Sequence, residues 1–189
     1  MRRRFNWAAV AVIAVSFLLI GARPFTPQPS SLVYRVKAAY LVNFAKFIDW
    51  PPEAFGSPSE AFTICLAGDP FNGALERTVE GEILDGRRIV IRRTNAGENL
   101  RRCHIVFVSE SEGKRSIEII NSVSNLPILT VGDTGDFIKS GGMIRFFEAA
   151  NRVQFQINPE AAERASLRVS SRLLRLADIV KGPVLEAER

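Results

Sequence analysis

Cysteine and histidine are scarce: the 189 residues hold two cysteines and one histidine. A zinc site is not expected, because Cys103 and His104 lack the usual ligand spacing and Cys65 lies far away in sequence. His104 reads instead as a structural histidine at the edge of a buried strand. The chain has no Gly-x-Ser-x-Gly, no Walker-type loop and no His-Glu-x-x-His, so no catalytic residue, metal or cofactor is expected. A hydrolase stays open only in that a missing motif is not a missing site. There is no internal repeat, and no low-complexity stretch beyond a proline-rich segment near the start.

A basic face is also missing. The formal net charge is +5, but residues 1–23 carry four arginines and no acid, which leaves 21 basic against 20 acidic residues in the rest. Arg87-Arg88, Arg92-Arg93 and Arg101-Arg102 are spread through strand-like segments among acids, so no nucleic-acid partner is expected.

Arg2, Arg3 and Arg4 precede an apolar run from Trp7 to Ile20, which has the length of a signal-peptide core and falls short of the roughly 20 residues that span a bilayer. Residues 1–22 therefore read as an export signal, with a retained anchor as the lesser alternative. Residues 23–32, with Pro24, Pro27 and Pro29, read as an extended leader. Residues 33–182 make one domain and 183–189 a tail. Such a segment is long enough to bury about 70% of its unfolded surface.

The fold expected for that domain is α/β: a single compact unit with a mixed, mostly parallel β-sheet flanked by α-helices and a C-terminal antiparallel hairpin. Val33 to Asp49 has helical periodicity. It places Val33, Val36, Tyr40, Phe44, Phe47 and Ile48 on one buried arc, widened by Ala38, Leu41 and Ala45, with Lys37 among them, and Pro51-Pro52 as the stop. Strands are expected at 62–67, 88–92, 104–109 and 127–131, with helices at 74–81 and within 111–125, the latter turning Ile117, Ile120 and Val123 inward. Residues 143–147 and 152–157 are close enough in sequence to form a hairpin. Asn158-Pro159-Glu160 opens a helix, and a final helix with Leu173, Leu174, Leu176, Ala177 and Val180 runs to Gly182-Pro183.

Three groups of residues are candidates for function. Cys65 and Cys103, in neighbouring strands of an exported chain, suit a disulfide, or else two separately buried thiols. Gly68-Asp69, Ser109-Glu110 and Gly132-Asp133 all follow strands; if the strands are parallel, Asp69 and Asp133 face the crevice where open α/β sheets bind small solutes, although Gly-Asp is also ordinary turn chemistry. Phe44, Lys46 and Trp50, at the end of the first helix, have the character of partner anchors, but the same aromatics fit a core. Lys37 is either a snorkelling lysine or a ligand or partner contact.

Several segments together resemble the YfiR family of periplasmic proteins: KAAYLVNFAKFIDWP, FTICLAGDPF, CHIVFVS, the GGMIRFF and VQFQIN pair, and SSRLLRLA. The resemblance spans Val33 to Val180. It implies a compact α/β domain without known catalysis, often dimeric. It also implies a periplasmic repressor that grips the sensor part of an inner-membrane diguanylate cyclase, lowers cyclic di-GMP and so restrains biofilm. Cys65 and Cys103 match that family's structural disulfide. The better-known repressors carry a further cysteine pair toward the later strands, which this chain lacks. The expected function is thus a non-enzymatic regulator with a membrane signalling partner; the alternative is a periplasmic small-solute-binding domain.

Overall fold

The computed structural model describes residues 31–94 and 98–181; the expected export signal, most of the leader and the tail lie outside them. No helix among the described residues is long and apolar enough to cross a membrane. The elements are α1 (Ser31–Phe47), β1 (Ile48–Asp49), β2 (Phe62–Ala67), α2 (Ala74–Val79), β3 (Ile83–Leu84), β4 (Arg87–Thr94), β5 (Ile105–Val108), α3 (Arg115–Val123), β6 (Leu129–Gly132), β7 (Ile144–Ala149), β8 (Arg152–Ile157), α4 (Pro159–Arg164), β9 (Arg168–Val169), α5 (Ser171–Leu174) and β10 (Asp178–Ile179).

Eight of these strands form one sheet in the order β10-β8-β7-β6-β5-β2-β4-β3. The run from β4 to β7 is parallel; β7 and β8 form the expected antiparallel hairpin, and β3 pairs antiparallel with β4. The sheet has two covered faces because its central strands are apolar on both. From β2 and β5, Phe62, Ile64, Leu66, Ile105 and Phe107 join a core with α1, α2 and α4, while Cys65, Ala67, Val106 and Val108 join a second core with α3. Only a parallel sheet buried on both sides calls for such runs.

The two cysteines are bonded, closing a chain separation of 38 residues with Cα atoms 5.8 Å apart. A loop of that size stabilises by about 4 kcal/mol in the chain-entropy account. Asn158 caps α4 as its sequence suggests, its Oδ1 accepting from the Ala161 N–H at 3.2 Å.

Several expectations are corrected. On α1, Ala38, Leu41, Phe44 and Ala45 are buried as expected, but Tyr34 and Val42 join them and Lys37 lies buried among them, whereas Val36 is exposed. α1 stops at Phe47, before the prolines, because Ile48 and Asp49 become extended and pair with Val169 and Arg168. In α3, Ile120 and Val123 face the core as expected, but Ser116 and Ile119 join them and Ile117 lies outside, because the face that packs on Val106 and Val108 is the Ile119–Ile120–Val123 one. The last helix is a single turn. Asp178 and Ile179 instead extend the sheet beside β8, and the Val180 N–H donates to the Ile157 carbonyl at 2.9 Å.

Candidate functional site

The strand order reverses between β2 and β5: the chain passes from β2 outward to β4, then returns to the other side of β2. At that reversal the carboxyl ends diverge and leave a crevice. Here it has a volume of about 360 Å³ and is lined by Tyr34, Asp69, Pro70, Ser109, Glu110 and Ser111. Gly68, just before Asp69, has φ at +71°, and a Cβ there would run into Ser109 and Ser111, so backbone angle and space both demand glycine.

Both predicted acids belong to this pole, but neither is free. Lys37 and Asp133 form a buried ion pair at 2.8 Å, each side chain 7% exposed. The same oxygen of Asp133 accepts from the Tyr34 hydroxyl at 3.3 Å, and its other oxygen accepts from the Glu110 N–H at 2.8 Å. This one carboxylate therefore ties α1 to the loops after β5 and β6. Burial first, and the neighbouring Asp133 charge second, raise the Tyr34 pKa well above its usual value. Asp69 lines the crevice, yet its oxygens accept from the Phe71 N–H at 2.9 Å and the Arg93 Nε at 2.7 Å.

The four partner candidates divide. Phe44 is fully buried, stacked on Phe146 and edge-on to Phe155, so it cannot meet a partner. Lys37 is withdrawn from the surface in the same way by its bond to Asp133; its place on the apolar arc reflects a buried partner, not a snorkelling stem. Lys46 is exposed and paired with Glu82 at 2.6 Å. Trp50 is half-buried, its ring against Phe62 and its indole N–H donating to the Ala45 carbonyl at 3.1 Å.

Trp50 opens a second cleft, at the amino ends of the strands. It has a volume of about 390 Å³ and lies between the Asp49–Pro52 segment and Glu163, Ser166, Leu167 and Arg168. The β1–β9 pair forms one wall. Sequence reasoning named no functional residue on the α4–β9 side, because that side meets Trp50 only through the pairing of β9 with the distant β1. Behind Trp50 sits His104, stacked between Phe55 and Phe62 at 4.7 Å each, with its Nδ1 accepting from the Thr63 N–H at 3.0 Å. Burial lowers its pKa, the Arg87 charge adds to that, and Glu60 opposes it. His104 is thus a neutral structural ring. Among the described residues no cluster of His, Cys, Asp and Glu could hold a metal ion.

A family model described as YfiR/HmsC-like matches residues 34–178, from the Tyr34 end of the first pole to the β10 edge of the sheet.

Proposed function

Because this chain belongs to the YfiR/HmsC-like family, we propose that it is an exported, non-enzymatic regulator that binds the periplasmic part of an inner-membrane diguanylate cyclase and represses cyclic di-GMP output. The family match over residues 34–178 carries this reading, since it covers both cores, both clefts and the disulfide. Proteins of this family are periplasmic regulators of diguanylate cyclase signalling. A disulfide linking two central strands fits an oxidising compartment.

The surface we assign to the partner is the cleft beside Trp50. It offers a large aromatic edge flanked by Glu163 and by the exposed Arg168, the combination of anchor and charge that protein interfaces favour. Lys46 stands on the same end of α1. The test is cellular cyclic di-GMP in cells lacking the protein and in cells given it back with Arg168→Glu.

One observation supports a second reading, a small-solute-binding domain: the crevice at the strand reversal carries the Ser109, Ser111 and Tyr34 hydroxyls. Asp69 and Asp133 are already committed to internal bonds, so recognition there would rest on those hydroxyls and Glu110.

A further inference from the structure

β4 is the longest strand of the described sheet, and on its outer side only its start is paired with another described strand. On one side β2 pairs with Ile89 to Thr94. On the other, β3 reaches only Arg87 and Arg88, and no other strand among the described residues lies beyond it. Leu84 and Arg87 face each other across a two-residue turn, Asp85-Gly86, with φ of +48° and +80°. A turn of that kind is closed by a hydrogen-bonded pair, so the main-chain groups of Arg87 point toward β3. By the two-residue repeat of a strand, those of Ile91 and Arg93 point the same way, past the end of β3. Among the described residues no strand pairs with them, so they form a row of donors and acceptors, the feature that recruits an added strand.

The side chains along this edge define what strand would fit. On one face stand Arg88 and Arg92. Arg92 reaches the Asn99 carbonyl at 3.1 Å and so adjoins the turn holding Arg101 and Arg102. Arg88, Arg101 and Arg102 are exposed and make no ion pair among the described residues. On the opposite face are Ile89 and Ile91, packed on the α1 core, and Arg93, whose charge Asp69 and Glu76 neutralise. A strand laid along β4 would thus meet unpaired positive charge on one face and apolar or neutralised neighbours on the other. Two copies of β4 would bring arginine against arginine, which is destabilising.

We propose that the open edge of β4 at Ile91 and Arg93 is a docking site for an extended segment of another protein that alternates acidic with apolar residues. The bond to it is main-chain pairing, and the arginines of the Arg88 face select the acids. This holds whether or not the chain regulates a cyclase, because it rests on the sheet edge alone.

The test uses the full chain, labelled with nitrogen-15, and a synthetic peptide alternating valine and glutamate. Amide hydrogen exchange at Ile91 and Arg93 should slow about tenfold or more on saturation, with the other strands unchanged. Arg88→Glu, at an exposed position that leaves the spectrum folded, should weaken the peptide about tenfold. A peptide of the same charge N-methylated at alternate amides should not bind. Equal binding of the N-methylated peptide, or no protection at Ile91 and Arg93, overturns the proposal. It is equally overturned if those amides become protected by raising the protein concentration without peptide, because the occupant is then a second copy.

Discussion

Lys37 is the single side chain on which most of the carboxyl-end pole depends. Its ammonium lies 2.8 Å from Asp133, and both are shielded from water. Removing one partner of a buried pair strands the other, typically at a cost of about 3–5 kcal/mol. Lys37→Met should therefore lower unfolding free energy by about that amount in denaturant titration, and adding Asp133→Leu should recover part of the loss. A cost below about 1 kcal/mol would show that the pair is not held together in solution. The other residue with a readable signature is His104. Its folded-state pKa lies below the ordinary 6.5, mainly through burial. As pH falls below about 6.5 the unfolded chain takes up a proton that the folded chain refuses, so stability drops with acidification. The melting temperature should fall between pH 7.5 and pH 5, and His104→Gln, which keeps an acceptor for the Thr63 N–H, should show a smaller fall. An unchanged fall would place the titrating group elsewhere.

Among the elements, the long and locally determined ones were legible. β2 falls on FTICLA, and β5 on the apolar core of HIVFVS, because such runs suit only a strand covered on both faces. The β7–β8 hairpin and the Asn158 cap follow from short-range spacing in the same way. What stayed hidden depends on distant pairing. Leu176 and Val180 fit one helical face with Leu173 in sequence, but α5 ends at Leu174, Leu176 stands exposed, and residues 178–179 pair with β8. Val36 fits the periodicity of α1 as well as Tyr34 does; the buried Asp133, supplied from 96 residues beyond Lys37, decides which side turns inward. The candidate site was half legible: the crevice could be placed from Gly-Asp turns after strands, while the commitment of its acids to Lys37 and Arg93 could not. The Cys65–Cys103 bond joins β2 to the turn just before β5 on the α3 side. Replacing both cysteines by alanine should cost about 2–4 kcal/mol and leave the circular dichroism of the sheet intact, as two thermal or denaturant unfolding curves will show. Loss of the fold altogether would mean that the apolar cores cannot hold β2 and β5 together alone.

For the molecule as a whole, the arrangement separates two poles. Tyr34, Lys37 and Asp133 lock the carboxyl ends of the strands, while Trp50 and the β1–β9 pair leave an open cleft at the amino ends. The first pole spends its polar groups on holding the fold, and the second keeps Arg168 exposed and an aromatic edge half-open. That division suits the proposed binding role: polar groups committed to holding the body at one pole, and an aromatic edge left open at the other. Membership of the YfiR/HmsC-like family, whose proteins are periplasmic regulators, supports the proposal that this surface meets a partner. The most direct measurement is cyclic di-GMP in cells from which the protein has been deleted and then restored. The messenger should rise on deletion, return to its starting level with the wild-type chain, and stay raised with a folded, equally abundant Arg168→Glu chain. A level that does not move on deletion, in cells shown to express the protein, would contradict the proposed repression.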